Sequence, residues 1–200
     1  MQRIGIMGGT FNPIHLANIY IAYEAKEQLK LDQVIFLPAG NPPHKKQDKT
    51  IDATHRFNMV KEAIRTYDKF IIDDYEIKKN GYSYTFEKLM HYKNDDVERF
   101  FISGADSLMD LEKWKNPDRV LANCTFVTFN RGQYTNEELI KQKSYLEDKY
   151  GAKIILLNIM DMDISSTIIR ERIKENKRVD FFLPKEVLEY IEKNNLYRGE

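Results

Sequence analysis

The chain has no surplus of charge of either sign: its 200 residues hold 31 Lys plus Arg against 31 Asp plus Glu, a formal net charge of zero at pH 7. No global field therefore draws it to nucleic acid, and an anion site has to be built locally. Cysteine occurs once, as Cys124, which excludes an internal disulfide. The surrounding Leu121-Ala122-Asn123-Cys124-Thr125-Phe126-Val127 reads as the start of a buried strand, so a core thiol is expected rather than a nucleophile. No apolar run is long enough to span a bilayer, and the N-terminus enters an apolar strand without the basic-then-apolar pattern of a signal peptide. A cytoplasmic chain with no membrane partner is the expectation. Internal repeats, low-complexity segments and linkers are lacking, and no His/Cys/Asp group has zinc spacing. What is present, 42% hydrophobic and 12% aromatic residues, suffices for one well-filled core. One domain over residues 1–200 is expected, with a C-terminal helical segment at about 165–197 packed on it.

Short apolar runs alternate with longer amphipathic stretches, which predicts an α/β fold: a doubly wound, mostly parallel, Rossmann-like sheet covered by helices. The expected strands are Arg3–Met7, Val34–Leu37, Phe70–Ile72, Arg99–Ser103, Thr125–Phe129 and Ile154–Leu157. Helices are expected from about His15 to Leu29, near Ala53 to Arg65, from Ser83-Tyr84-Thr85-Phe86 toward His91, and from Ser165 and Pro184. In such a sheet ligands bind at the carboxyl edge of the strands. Three polar clusters each follow a predicted strand and share that edge: Gly8 to His15, Gly104-Ala105-Asp106, and Asp161 to Thr167.

In the first cluster, Gly8 and Gly9 permit close backbone approach to a ligand, Thr10 adds a hydroxyl donor, and Pro13 stiffens the turn. The N-terminus of the following helix supplies free N–H groups and a dipole, an anion site that needs no net protein charge. The loop is neither a GxGxxG fingerprint nor a Walker P-loop, which argues against a dinucleotide-dependent oxidoreductase. Any strand-to-helix turn favours Gly, Asn and Pro, so glycines alone would not identify it.

The resemblance lies in a longer run. Gly8-Gly9-Thr10-Phe11-Asn12-Pro13-Ile14-His15 resembles the signature loop of the HxGH-type nucleotidyltransferase superfamily, especially its bacterial nicotinate-nucleotide adenylyltransferases. The likeness continues through Pro42-Pro43-His44-Lys45, His55-Arg56, Tyr84-Thr85-Phe86, Gly104-Ala105-Asp106, Lys113-Trp114, Ile164 to Arg170, and the C-terminal stretch from Phe182 to Tyr197. It implies adenylyl transfer from ATP, accompanied by Mg2+ held mainly by the ATP phosphates, to nicotinate mononucleotide. The chain departs from the family pattern at the end of this motif: it reads His15-Leu16-Ala17-Asn18, with asparagine where a second histidine is usual and alanine where a glycine is usual. Positions three apart share a helix face, so both can address one phosphate chain. Asn18 donates a hydrogen bond but carries no charge, and losing one such donor costs about 3 kcal/mol.

The resemblance assigns charge stabilisation to His15, Asn18, Lys45 and Arg170. It assigns ATP to Gly8, Gly9, Thr10, Phe11, Ile164, Ser165, Ser166 and Thr167, and the acceptor to Tyr84, Thr85, Gly104, Asp106 and Trp114. Each has a plainer reading. Ser165-Ser166-Thr167 is an ordinary helix cap, Asp106 another, Trp114 a packing residue, and Lys45 with His44 and Lys46 a solvated loop. Nicotinamide mononucleotide or phosphopantetheine as acceptor, or a binding protein disabled at Asn18, are the alternatives. A homo-oligomer is compatible with the sequence, because symmetric self-association is common among enzymes.

Overall fold

The computed structural model describes residues 1–40, 50–79, 81–130, 132 and 134–198. Six strands form one parallel sheet: β1 (Gln2–Gly9), β2 (Gln33–Pro38), β3 (Phe70–Ile72), β4 (Val97–Gly104), β5 (Thr125–Phe129) and β6 (Lys153–Leu156). Their spatial order is β3-β2-β1-β4-β5-β6, the doubly wound arrangement expected from the sequence. The strands read as continuous apolar runs because helices cover both faces. Side chains still alternate: Phe100 and Ile102 of β4 enter one core and Phe101 the other, while Phe126 and Val127 of β5 divide in the same way.

The first core lies under α1 (Leu16–Gln28), α2 (Ala53–Ile64), α8 (Ser166–Lys174) and α9 (Lys185–Lys193), through residues such as Ile21, Met59, Ile169 and Val187. The second lies under α4 (Thr85–His91), α5 (Ala105–Met109), α6 (Pro117–Leu121) and α7 (Asn136–Tyr150), through Leu89, Leu108, Val120 and Leu146. A short α3 (Tyr75–Lys78) and a 3-10 turn at Leu111–Lys113 complete the described elements. The C-terminal helices thus pack on the same sheet as the rest.

The sequence reading did not mark α7, whose apolar residues are sparse, with Leu139 and Leu146 alone buried. Its signals lie at its ends. Thr135 and Glu138 form a capping box, Glu138 N donating to Thr135 Oγ1 at 3.2 Å and Thr135 N to Glu138 Oε2 at 2.8 Å. Gly151 closes it at φ 63.

Between β2 and α3 the chain passes close to itself. A Cβ at Gly40 would sit 2.1 Å from the backbone oxygen of Glu76. The Glu76 side chain is buried in an ion pair with Lys88 at 2.7 Å, so α3 has no freedom to retreat. Gly40→Ala is therefore expected to lower the unfolding free energy by about 2–3 kcal/mol, read as a shift of the urea midpoint. An unshifted midpoint would show that the approach is not a constraint.

Candidate active site

The carboxyl ends of β1 and β4 are neighbours, but α1 leaves β1 toward one face of the sheet and α5 leaves β4 toward the other. A cavity of about 490 Å³ opens between the parting loops. It is lined by Met7 to Asn12, His15 and Asn18 from the first loop and helix, and by Ile102, Ser103 and Gly104 from β4. Thr50, Phe129, Ser165, Ser166, Thr167 and Arg170 complete its walls.

Side chains from remote elements hold the first loop by its carbonyl groups. Arg170 Nη1 donates to Asn12 O at 2.7 Å, Ser166 Oγ to Pro13 O at 2.8 Å, and Arg56 Nη1 to Thr10 O at 2.8 Å. Tyr197 adds a bond from its hydroxyl to Asn12 Oδ1 at 2.9 Å. Burial pushes the Tyr197 phenol up, so it stays a donor across the physiological range. Phe11 adopts a left-handed φ of 48, and its ring packs beneath Gly9, where a Cβ would lie 2.8 Å away. The ring reaches Phe36 at a centroid distance of 6.0 Å, which fixes the loop to the sheet.

His15 is the N-cap of α1 and is 2% exposed. Asn18, 9% exposed, lies one turn on, and its Oδ1 accepts the His15 backbone N–H at 3.1 Å. The amide oxygen is thus committed, and the NH₂ is the polar group Asn18 has left to offer. Ser165 caps α8, its Oγ accepting from Ile168 N at 3.3 Å. Two helix N-termini therefore meet at one cavity. No carboxylate lines it among the described residues, whereas Arg170 does. A smaller cavity of about 300 Å³ shares Thr50, Thr167 and Arg170 and extends past Lys174 and Tyr197.

Other expected residues stand elsewhere. Tyr84 and Thr85 start α4, Tyr84 N donating to Glu87 Oε2 at 3.1 Å. Ile164 is half-buried against the first core. Asp106, in the first turn of α5, is exposed and faces the Tyr134 phenol, whose pKa is pushed up by desolvation and then by its hydrogen bond to Asp106. Trp114 is half-buried, edge-on to Phe101 at 6.1 Å and to Phe126 at 6.3 Å. None of these five lines the cavity. Lys45, with His44 and Lys46, lies outside the described residues.

The sequence reading did not single out Arg56, Asn12, Ser103, Thr50, Phe129 or Tyr197 as site residues. Arg56 and Asn12 do fall within quoted motifs, but burial, the feature that distinguishes Arg56, has no local signal in a helix's first turn. Among the described residues, no helix is long and apolar enough to cross a membrane. No group of three or more His, Cys, Asp or Glu among them could hold a metal.

A crevice with converging N–H donors suits a phosphorylated ligand, and comparison with known proteins gives the class. The family model described as Cytidylyltransferase-like matches residues 6–172, which places the chain in the nucleotidyltransferase class. "Probable nicotinate-nucleotide adenylyltransferase" of Clostridium botulinum (strain Alaska E43 / Type E3) is 56% identical over 200 residues, covering 100% of both chains. The protein of the same name from Clostridium acetobutylicum is 50% identical over 199 residues, covering 98% of this chain and 100% of that one. The chain belongs to the nicotinate-nucleotide adenylyltransferase family. In fold it is similar to Plasmodium falciparum nicotinic acid mononucleotide adenylyltransferase complexed with NaAD, with a TM-score of 0.82 at 21% identity over 98% of each chain.

Cys124 stands at the opposite, amino edge of β5 from the cavity, its Sγ donating to Val120 O at 3.3 Å. Burial pushes its thiol up from 9.0 to about 12. A raised folded-state value means that its contribution to stability is intact below the unfolded value and is lost as pH rises through the folded one. The unfolding free energy should fall from pH 9.0 toward about 12. Cys124→Ala should flatten that fall, and identical slopes for the two proteins would refute the assignment.

Proposed function

We propose that the chain transfers the adenylyl group of ATP to nicotinate mononucleotide, yielding nicotinate adenine dinucleotide and pyrophosphate. The observation that carries this reading is a cavity, free of carboxylates among the described residues, at which the α1 and α8 N-termini and Arg170 converge. An acceptor phosphate oxygen attacks the α-phosphorus, the bond from that phosphorus to the bridging oxygen breaks, and pyrophosphate leaves with the electron pair. The attacking phosphate is already ionised, so no general base is needed. Positioning and charge stabilisation make up the protein's part.

In this reading Gly8, Gly9, Thr10 and Phe11 bring backbone close to the phosphates, with Ile164 to Thr167 across the cavity on the ATP side. His15, Asn18 and Arg170 face charge that develops on the transferring group, and Lys45 joins them. Tyr84, Thr85, Gly104, Asp106 and Trp114 hold the acceptor; for Gly104 the support is its place in the cavity wall, and for the others the family resemblance. Magnesium enters as part of the ATP substrate, whose phosphates together with water supply most of its ligands. A cytoplasmic setting fits an ATP-dependent reaction.

Purified protein given ATP, magnesium and nicotinate mononucleotide should release pyrophosphate faster than with nicotinamide mononucleotide or phosphopantetheine. Asn18→His should raise kcat on the order of 100-fold by adding a chargeable donor. No release from either protein with any acceptor would sink the reading. Trp114→Ala should raise KM for the acceptor and leave KM for ATP unchanged, and an equal rise in both would reject the role of Trp114 in holding the acceptor.

A further inference from the structure

Arg56, in the first turn of α2, is 1% exposed, and the mechanism above gives it no task. All three of its hydrogen bonds end on backbone carbonyls: Nη1 on Thr10 at 2.8 Å, Nη2 on Gly40 at 3.1 Å and Nε on Ile51 at 3.1 Å. Asp52, Glu76 and the Tyr197 phenol act on its charge only through space. A buried guanidinium without an ion-pair partner is costly, since its attraction to neutral carbonyls replaces only part of its hydration. Holding three carbonyls does not by itself require a full charge.

The peptide it grips suggests a use. A trans peptide is planar, so a carbonyl and the next residue's N–H point in opposite directions. With the Thr10 oxygen drawn to Arg56, the Phe11 N–H points away from the guanidinium. Thr10 and Phe11 both line the main cavity, and no described backbone or side-chain acceptor takes that N–H. Phe11 is held in the left-handed region, where a bulky residue rarely rests. The opposite peptide orientation would aim a carbonyl dipole at the ligand and repel an anion.

We infer that Arg56 is a positioning residue for adenylyl transfer: by drawing the Thr10 carbonyl inward it presents the Phe11 N–H to the phosphate chain of ATP. The bonds to Gly40 and Ile51 set the end of β2 and the approach to α2 against the same loop. The planar fork of arginine meets three acceptors at fixed angles, which a lysine ammonium does not. Its charge, with no ion-pair partner among the described residues, also adds a positive potential behind the loop, where bound phosphates complete the balance. This inference rests on the adenylyl-transfer reading.

Arg56→Lys and Arg56→Met are the variants to measure, in the full chain with ATP, magnesium and nicotinate mononucleotide. The expected result is a kcat lower on the order of 100-fold with KM for the acceptor little changed. Lysine should restore less than half of the loss. A folded Arg56→Lys with native kcat overturns the inference, as does a variant that melts earlier yet turns over normally per folded molecule. The native protein provides a second test that does not depend on the variants folding. Its Phe11 amide resonance should move downfield when a nonhydrolysable ATP analogue binds with magnesium. A Phe11 amide that stays put while calorimetry records binding overturns the inference alone. No pyrophosphate release from native protein, with the amide still moving, overturns the reading beneath it. No binding of the analogue overturns both.

Discussion

The parallel pairing of β1 with both β2 and β4 is the constraint on which the site depends. β1 hands its chain across to β2 and β4 hands its chain to β5, in opposite directions along the sheet. Right-handed crossovers then place α1 and α5 on opposite faces, so their entry loops must diverge. The space between them cannot be filled by either helix, and it lies where the N–H groups opening α1 point. Catalytic geometry in this fold is thus a by-product of strand order. What the individual sequence adds is the set of side chains that hold the diverging loop still.

That restraint runs between segments far apart in the chain. Arg170 from α8 and Tyr197 near the C-terminus both fasten on Asn12, while Arg56 from α2 takes the carbonyl of Thr10. The oxygens of Thr10, Asn12 and Pro13 are drawn into the protein, which turns the Phe11 N–H away from Arg56. A single residue such as Asn12 has no room to tilt, since its carbonyl and its side chain are bonded to different elements. The C-terminal helices therefore contribute to the site as structural members as well as covering the sheet.

Much of this was legible in the sequence where the physics is local. Phe70–Ile72 and Thr125–Phe129 are found where the apolar runs mark them, the first at the sheet edge with Ile71 exposed and the second buried throughout, Thr125 and Thr128 included. Ser165 was legible as a cap, and the loop from Gly8 to His15 as an anion site, since each feature sits within a few consecutive residues. Asn18 was legible as a neighbour of His15, but its commitment to the His15 backbone N–H was not. The short helices α3, α5 and α6 have too few residues for a period to show, and packing decides them. Arg56 was opaque for the same reason. A charged residue one turn into an amphipathic helix reads as solvated, and only the meeting of three distant carbonyls makes burial tolerable.

A chain of zero net charge, if it takes the triphosphate and nucleotide monophosphate of the proposed reaction, must create its positive potential without long-range help. Two helix N-termini do part of this with peptide dipoles, which add no formal charge and need no counter-ion. Arg170 contributes a charge at the wall and Arg56 one behind it, and no carboxylate among the described lining residues opposes them. The acidic residues that balance the total lie elsewhere, many in exposed pairs such as Arg178 with Asp180 and Lys185 with Glu189. Water and salt screen those pairs at the surface, while the cavity's own charges act over short distances. Neutral composition and an anion site are therefore compatible, and the sorting of carboxylates away from the described lining of one crevice is what reconciles them.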